Sequence, residues 1–573
     1  MPSRHTTTSK DIDRLIRNHL ARLAKPGALF VRPGYEIAGD QLTGRQAIVV
    51  TVHTKLAVLP AKNRLPDSIG RVPVDVREAT ALQRLRAEDP AAATLAAAYA
   101  RPEDAAPDWP DERELPSGRL LTDKRSVLQK TLAKQLAAQP FVAHALAAHA
   151  KKPELPYVPA PGVPLDPLAI TKATITAHVS PDAGLKTLEA FLAGTRKSLV
   201  VGMYDFTSAR ILKAFESALA GKRTLQMVLD NPAPNPTRDQ TDAQTVEQLN
   251  QTLGARASIA WALERQDVYA AAWIFPYAYH IKVMVRDGDT VWLSSGNLNN
   301  SNQPDLSAPP RTEDRDWHVI IENKPLAALF GAYLNQDYAS AQAHQAAAIG
   351  AEPERAIANA HAKLAAQASP PAAASALMPF AATKPAYVSA KVFRNVDTTI
   401  TPLLTPDTLP GSPARGQYVT QMQQLIESAQ KSLYIQLQYI ESSNGKGDYD
   451  ALLATIAARV AAGVDVRLIE SAEYGMKWAE KMKATGVDLT ANIRLQSNVH
   501  NKGFVVDSKI VVVSSQNFSP AGIEQNRDAG VIIESAPIAA WYEAVFVSDW
   551  NTRAKPFVAG AEKKARVRGE KRG

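Results

Sequence analysis

The chain of 573 residues contains no cysteine. Disulfide bonds and thiolate metal sites are therefore excluded as sources of stability or chemistry. The lack of cysteine does not assign a compartment, because proteins of the cytosol and of the periplasm both tolerate it. The sequence also lacks an apolar run that approaches the length of a transmembrane helix. We therefore predict a protein without an integral membrane segment.

No secretion signal is visible at the start of the sequence. Residues 1–25 are charged and lack the apolar core of a signal peptide. These features predict a cytoplasmic protein. Export by a signal-independent route stays compatible with them.

Several common catalytic motifs are also absent. The sequence has no Walker loop, no Gly-x-Gly-x-x-Gly, no His-Glu-x-x-His and no Gly-x-Ser-x-Gly. The scattered histidines, among them His178 and His318, show no metal-ligand spacing, and His318 is interpreted as a structural or rim residue. We therefore expect neither a bound metal nor an organic cofactor.

Two segments carry the same set of polar residues at the same spacing. The sets are His280, Lys282, Asp287, Ser295 and Asn297, and His500, Lys502, Asp507, Ser515 and Asn517. If each residue type occurs about once in twenty, one such match has a chance of roughly three in ten million per window. Two matches in one chain therefore indicate an internal duplication.

The spacing places these polar groups on one face of a hairpin. The residues from His280 onward alternate like a strand, so His280 and Lys282 point the same way. Asp287 begins a tight-turn signal, and Thr290–Leu293 predicts the returning strand. Asn297 would then come back beside His280. An imidazole, an ammonium and a carboxamide on one face suit a phosphoryl group.

The duplication extends beyond this set. Each copy has an amphipathic helix, a strand, a second helix and a second strand before the polar residues, an order that predicts a mostly parallel sheet with covering helices. A further repeated segment follows the polar residues in each copy. Asp314-Arg315-Asp316 precedes Val-Ile-Ile-Glu, and Asn526-Arg527-Asp528 precedes the same four residues.

The repeated pattern resembles the signature of the phospholipase D superfamily, which reads His-x-Lys, four residues, Asp, six residues, Gly-Ser-x-Asn. Ser294 and Ser514 stand where that family usually has Gly. The resemblance covers about 170–345 and 390–555. It implies two similar α/β halves about a pseudo-two-fold axis, whose hairpins face each other and form one active site. No oligomer is required, because both motifs lie in one chain.

The resemblance also implies a two-step covalent mechanism. His280 is the expected nucleophile, which becomes a phosphohistidine, and His500 is the expected acid and base. Two lysines supply the positive charge that a metal provides elsewhere. Asp287 and Asp507 are interpreted as structural, because each closes its hairpin. The expected phosphate ligands are Lys282, Lys502, Asn297 and Asn517, with Ser295 and Ser515 supporting the loop and the phosphate.

In this superfamily, an acidic residue just before the following strand holds the catalytic His through its second ring nitrogen. Asp316 and Asp528 match that position. Such a pair selects the tautomer and stabilises the imidazolium. The alternative is a surface Arg–Asp pair that caps the strand.

The substrate is a choice between two phosphodiesters. Tandem copies in one chain resemble phospholipases and phospholipid synthases, which favours a phospholipid headgroup. The segment Tyr204–Ser208 resembles the first-strand end of small nucleases, which favours DNA or RNA. The net charge of +8 suits both substrates and also peripheral contact with a membrane. A scaffold that only binds phosphates would require the loss of a catalytic residue, and none is lost.

The domain organisation follows from these patterns. A chain of this length exceeds one compact core. The predicted segments are a small N-terminal α/β unit without recognisable chemistry (1–85), an Ala/Pro-rich helical connector (86–170), the first half (171–345), an Ala-rich linker (346–390), the second half (391–555) and a basic tail (556–573).

Overall fold

The computed structural model contains two compact units. The first holds described residues up to 114, and the second holds those from 163 to 553. The structure describes residues 9–38, 41–53, 63–79, 81–88, 113–114, 163–230, 240–264, 272–273, 278–307, 313–343, 388–408, 415–441, 447–472 and 487–556. The predicted helix Ser126–Ala148, most of the Ala-rich linker and nearly all of the basic tail lie outside these residues.

The first unit is the small α/β unit that the sequence predicts. Its strands form one sheet in the order β3-β4-β2-β1-β5, and Ile12 and Ile16 of the first helix pack on its apolar face. The last strand pairs with β1, so the sheet includes residues beyond 85. The elements are α1 (Ser9–Asn18), α2 (Leu20–Leu23), β1 (Ala28–Ala38), β2 (Gln41–Val52), β3 (Ser68–Ile69), β4 (Val72–Glu78), α3 (Ala81–Glu88) and β5 (Arg113–Glu114).

The second unit begins with the first half of the duplication. Its amphipathic helices bury the predicted apolar faces, such as Leu185, Leu188 and Leu192. The elements are β6 (Leu168–Ser180), α4 (Gly184–Ala193), β7 (Ser198–Met203), α5 (Ala209–Ala218), β8 (Thr224–Leu229), α6 (Asp242–Leu253), β9 (Ala257–Trp261), β10 (Leu263–Glu264), β11 (Ala272–Trp273), β12 (Lys282–Arg286), β13 (Thr290–Ser294), β14 (Asp316–Glu322) and α7 (Lys324–Ala343).

The second half repeats this order. Its first helix buries Tyr418, Met422 and Ile426, as the sequence predicts. The elements are β15 (Lys391–Thr405), α8 (Gln417–Glu427), β16 (Ser432–Leu437), α9 (Asp448–Ala461), β17 (Asp465–Ser471), β18 (Ile493–Gln496), β19 (Lys502–Val506), β20 (Ile510–Ser514), α10 (Pro520–Glu524), β21 (Asp528–Ile533) and α11 (Ala536–Thr552), and the two-residue strand β22 (Lys555–Pro556) follows.

The two halves share one sheet with a palindromic strand order, β18-β17-β16-β19-β20-β21-β15-β6-β14-β13-β12-β7-β8-β9. The antiparallel pair β15–β6 lies at the centre of this order. It joins two copies of the same arrangement, as expected for two α/β halves about a pseudo-two-fold axis.

The prediction of a mostly parallel sheet is wrong. In the described part of this shared sheet, the βαβ segments give the parallel neighbours β7–β8–β9 and β16–β17–β18. The strands that carry the polar motifs pair antiparallel with their neighbours. Short connections impose this direction, because a parallel pair needs a long crossover and a hairpin does not.

The motif hairpins are built from a buried sheet and a tight turn. Val291, Trp292 and Leu293 are all fully buried, because both faces of the sheet are covered. In the first turn, Asp287 and Gly288 both have positive φ, as the Asp-Gly signal predicts. In the second turn, Asp507 and Ser508 take the same conformation without glycine.

No helix among the described residues is both long enough and apolar enough to cross a membrane.

Candidate active site

The four residues at the centre of the candidate site pair across the two halves. Nδ1 of His280 lies 2.8 Å from Oδ1 of Asp528. Nδ1 of His500 lies 3.0 Å from Oδ1 of Asp316. Each histidine is therefore held by the acid of the opposite half. All four side chains are buried, and His500 is the more exposed histidine, with 8% of its side chain accessible against 3% for His280.

The order of strands explains this crossing. Each acid is the first residue of the strand that follows its own hairpin, and that strand begins beside the other half. Tyr279 and Arg527 form a backbone bridge next to one His–Asp pair, and Arg315 and Val499 form the corresponding bridge next to the other. The two pairs are therefore related by the same local backbone contact.

The motif serines contact the acids. The hydroxyl of Ser295 donates to Oδ1 of Asp316 at 2.7 Å, and that of Ser515 donates to Oδ1 of Asp528 at 2.5 Å. Each hydroxyl also accepts the backbone N–H of the residue after the acid, Trp317 or Ala529. The single hydroxyl proton of each serine is thus directed to a carboxylate, whereas the sequence pattern predicted support of the loop and a phosphate contact.

The electrostatic setting keeps Asp316 ionised. Burial by itself would raise the pKa of this carboxyl, but His500 and Lys502 outweigh burial and lower its pKa below the ordinary value. An ionised acid at Nδ1 stabilises a positive charge on the imidazole ring. The pair therefore favours the positive charge that a general acid carries before it donates its proton and that a nucleophilic ring acquires when it attacks.

The two motif lysines lie beside the histidines. The ammonium group of each is 2.6 Å from the backbone carbonyl of the histidine two residues before it. Nζ of Lys502 is also 3.1 Å from both ring nitrogens of His500 and 3.5 Å from the carbonyl oxygen of Ser295 in the other half. Nζ of Lys282 instead lies 4.9 Å from the centre of the Tyr204 ring.

The motif asparagines lie in buried loops directly after the serines. Oδ1 of Asn302 accepts the backbone N–H of Asn297 at 3.0 Å, and Nδ2 of Asn302 donates to Asp314. The side chain of Asn299 donates to Asp205 and caps the backbone N–H groups of Ser301 and Asn302. The sequence pattern did not identify Asn299 and Asn302, although their short spacing after Asn297 is typical of a capped loop.

The two serines that replace the glycine of the family signature also support these loops. The hydroxyl of Ser294 accepts the backbone N–H of Gly296 at 2.8 Å. The hydroxyl of Ser514 accepts the backbone N–H of Gln516 at 2.9 Å. Each serine therefore closes a local turn with its own side chain, a role that serine commonly plays in loops.

Asp287 and Asp507 lie at the far end of the hairpins, away from the histidines. The carboxylate of Asp287 accepts the backbone N–H groups of residues 196, 197 and 198 at 2.7–3.2 Å. Asp507 accepts those of residues 430, 431 and 432 at 2.7–2.9 Å. We call each set a carboxylate clamp. The clamp ties the hairpin turn to the start of the neighbouring strand, which is more than closure of the hairpin itself.

His318 is a structural residue beneath the first motif, which is one of the two alternatives that the sequence left open, the other being a rim residue. Its ring is fully buried, with Nδ1 2.6 Å from the hydroxyl of Ser294 and Nε2 2.9 Å from that of Ser180. It stacks on His178 with the ring centres 4.7 Å apart. Burial lowers the pKa of His318 to about 4, so this ring is neutral at physiological pH.

Tyr204 is a further residue at the site. Its ring meets the His280 ring edge-on, with 4.8 Å between ring centres. The sequence pattern identified the segment Tyr204–Ser208 but gave this tyrosine no role. Within the described part of the chain, no three His, Asp or Glu side chains are grouped so as to hold a metal ion.

Comparison with known proteins places this geometry in a family context. The family model described as cardiolipin synthase, PLD-like domain, matches residues 188–338 and 422–550. The two matches contain the two motifs and follow the two structural halves. No curated protein matches the sequence significantly.

Three solved structures are similar in part. Phosphatidylserine synthase from Haemophilus influenzae Rd KW20 shares 15% identity, with a TM-score of 0.45, over 76% of this chain and 98% of that chain. Nuc from Salmonella typhimurium, a phospholipase D family member, shares 20% identity, with a TM-score of 0.21, over 28% and 99%. NucT from Helicobacter pylori shares 16% identity, with a TM-score of 0.24, over 30% and 98%. None of these similarities assigns a substrate to this chain.

Proposed function

We propose that this chain, which belongs to the phospholipase D superfamily, cleaves phosphodiester bonds at one site built from both of its halves. The observation that carries the proposal is the pair of crossed contacts, His280 with Asp528 and His500 with Asp316. A carboxylate at Nδ1 directs the lone pair of a neutral imidazole to Nε2, the atom that attacks or transfers a proton.

In the first step, Nε2 of His280 forms a bond to phosphorus, and the bond from phosphorus to the leaving oxygen breaks. Protonated His500 gives its Nε2 proton to that oxygen, so the leaving group departs as a neutral alcohol. Asp528 stabilises the positive charge that develops on the attacking ring. The product of this step is a phosphohistidine.

In the second step, neutral His500 removes a proton from water or from an alcohol, whose oxygen then attacks phosphorus. The bond between phosphorus and His280 breaks, and both histidines return to their starting states. The greater exposure of His500 suits it to activate a molecule that arrives from solvent.

The ammonium groups of Lys282 and Lys502, with the amides of Asn297 and Asn517, are proposed to bind the non-bridging oxygens of the phosphoryl group. Charge is greatest on these oxygens in the transition state, and a buried cation interacts with them more strongly than it would in water. Ser295 and Ser515 are proposed to hold the acids, because their hydroxyl protons point to those carboxylates.

The proposed substrate is a phospholipid, cleaved at the headgroup side of its phosphate. The description of the matching family model as a cardiolipin synthase domain supports a lipid. The fusion of both motifs in one chain supports it further. A nuclease is the second candidate, and the contact of Tyr204 with His280 favours it, because this tyrosine begins the segment that resembles small nucleases.

One panel of substrates tests both candidates. The purified protein is incubated with vesicles of phosphatidylcholine or phosphatidylethanolamine, with single-stranded DNA and with duplex DNA, and His280→Asn serves as the inactive control. For a lipid substrate, a primary alcohol should divert product from phosphatidic acid to a phosphatidyl alcohol, because it competes with water for the phosphohistidine. DNA cleavage without lipid turnover would establish the nuclease, and no turnover of any of the four would contradict the proposal.

A further inference from the structure

Two buried arginines lie directly before the acids that hold the histidines. Arg315 precedes Asp316, and Arg527 precedes Asp528. Their exposed fractions are 2% and 0%. The mechanism above uses neither of them, and a surface ion pair that caps a strand does not describe them. A fully buried guanidinium requires partners for its charge and its donors.

Each guanidinium binds an acid on the long final helix of the other half. Arg315 makes two parallel bonds to Asp549 of α11, from Nε at 2.7 Å and from NH2 at 2.9 Å. NH2 of Arg527 donates to Asp337 of α7 at 2.6 Å. Asp337 lies 21 residues after Asp316, and Asp549 lies 21 residues after Asp528. The two anchors therefore belong to the internal repeat.

The backbone of each arginine binds the segment that leads to the histidine of the other half. The N–H of Arg527 donates to the carbonyl of Ala278 at 2.8 Å, two residues before His280. The N–H of Arg315 donates to the carbonyl of Asn498 at 2.8 Å, and the N–H of His500 donates back to the carbonyl of Arg315 at 3.1 Å. The backbone of an arginine therefore links each histidine to the acid that holds it and helps to set their relative position.

The helix acids also reach the neighbours of the histidines. The hydroxyl of Tyr279, the residue before His280, donates to Asp337 at 3.1 Å. Gln436 donates to Asp549 at 2.9 Å and accepts from the side chain of Asn501, the residue after His500, at 3.2 Å. Each anchor thus binds the arginine next to the acid and, directly or through one side chain, a residue next to the histidine.

We propose that Arg315 and Arg527 are positioning residues that set the geometry of the two His–Asp pairs by anchoring them to Asp549 and Asp337. The inference rests on the proposed function, because it concerns the same histidines. Loss of the planar guanidinium leaves the buried acid of the helix without its matched donor. The start of the strand then shifts, and it moves the next residue, which is the acid that holds the histidine. A displacement of about 1 Å at a catalytic group costs up to about a hundredfold in rate.

Arg527→Lys gives a direct test, because lysine keeps the charge and loses the planar fork. We expect kcat to fall by about tenfold to a hundredfold with KM changed much less, since the alignment of reacting groups is lost and substrate contacts remain. The acid side of the pH–rate profile should move. When Asp528→Asn is already present, the addition of Arg527→Lys should lower kcat little further, because both residues act through the same His280–Asp528 pair.

A nuclear magnetic resonance signal tests the geometry without any substrate. A histidine that donates its Nδ1 proton to a carboxylate gives a signal far downfield in histidine-labelled protein, and its loss in His280→Asn assigns it. Arg527→Lys should shift this signal and leave that of His500 in place, and Arg315→Lys should do the reverse. This readout is independent of turnover, so failure of the proposed function would not hide the outcome.

Arg286→Lys is the matched control. Arg286 is a partly buried arginine of the same unit that donates to the carbonyl of Phe191 at 2.7 Å, far from the histidines. It should lower the free energy of unfolding without moving either signal or the pH profile. If Arg527→Lys also lowered the free energy of unfolding without moving either signal or the pH profile, the proposal would be overturned. Arg527 would then have a purely structural role. Should Arg527→Lys not fold, Asp337→Asn removes the anchor charge with the arginine in place and must shift the His280 signal.

Discussion

Asp528 lies 2.8 Å from His280, although 248 residues separate them in the chain. His500 and Asp316 form the mirrored contact. Each half therefore lacks the partner of its own histidine. Each His–Asp pair exists here only when both halves are folded and packed together, so a single half does not contain the candidate site.

Replacement of either histidine should abolish turnover. We expect His280→Asn and His500→Asn each to lose more than about a thousandfold in kcat, because nucleophile and acid act as a coupled unit. Circular dichroism and the unfolding midpoint should stay near those of the parent protein. Near-full activity of either variant would contradict a single shared site.

The position of the covalent adduct should separate the two roles. We expect the phosphorus adduct on His280 after rapid acid quench, detected by mass spectrometry of the peptide. An adduct on His500 would reverse the assignment.

Replacement of the paired acids should affect rate more than stability. Asp316→Asn and Asp528→Asn keep the side-chain volume but can hold the wrong tautomer, so we expect a loss of at least about a hundredfold in kcat. The acid side of the pH–rate profile should move to lower pH in Asp528→Asn, because His280 must be neutral to attack. The alkaline side should move to lower pH in Asp316→Asn, because His500 must be protonated to act as the acid and its imidazolium loses its ionised partner.

A control for these variants comes from the same strand. Glu322 is exposed at the far end of β14, and Glu322→Gln should keep full activity. Asp314 is a poorer control, since it binds Asn302 and through it the backbone of Asn297. Equal losses in Asp316→Asn and Glu322→Gln would show that the effect is not specific to the His–Asp pair.

The carboxylate clamps should contribute stability rather than chemistry. Asp287→Ala and Asp507→Ala each leave three backbone N–H groups without their carboxylate acceptor. We expect each change to lower the free energy of unfolding by about 2–4 kcal/mol. Urea unfolding measures this loss. The folded fraction should keep its kcat, and a selective loss of kcat without loss of stability would contradict the assignment.

The clamps also predict an acid limit. Burial would raise the pKa of Asp287 and Asp507, but the backbone N–H groups outweigh it and hold each pKa below the ordinary value of 3.8. When the pKa of an acid is lower in the folded state than in the unfolded state, the acid contributes its full stabilisation of the fold at pH values above its unfolded pKa. This contribution is lost as pH falls through the folded pKa. Unfolding free energy should therefore decline below about pH 4, and less steeply in Asp287→Asn.

Removal of metal ions should leave activity intact. The proposed mechanism places the positive charge on Lys282 and Lys502, so excess EDTA should not reduce the rate with any accepted substrate. Lys502→Met should lose at least about a hundredfold in kcat, as is typical of a lost electrostatic donor. Complete loss in EDTA with recovery in Mg²⁺ or Zn²⁺ would disprove this distribution of charge.

Much of this arrangement follows from local signals in the sequence. The Asp-Gly turn, the alternating strand from His280 and the apolar helix faces each depend on residues close in the chain. The duplicated spacing adds long-range information, because two equal motifs in one chain imply two equal folds. Membership in the family and the two α/β halves were accessible for that reason.

The remaining features depend on packing between distant segments. The sheet is mostly antiparallel because hairpins place the motif strands next to each other, which the βαβ order alone did not indicate. Nothing local indicates that Asp316 pairs with His500 rather than with His280. The sequence could not decide between a structural and a rim position for His318, because its partners, Ser180 and Ser294, come from different strands. Asp337 and Asp549 could have been found from their equal distance of 21 residues after the paired acids.

The fusion of both halves in one chain gives evolution a freedom that a symmetric dimer lacks. In a dimer of identical chains, every substitution appears on both sides of the site at once. Here His318 and Gly530 occupy corresponding strand positions, opposite Ser294 and Ser514 respectively. The two halves therefore differ at this position, and each side of the candidate site can change without a matching change on the other side.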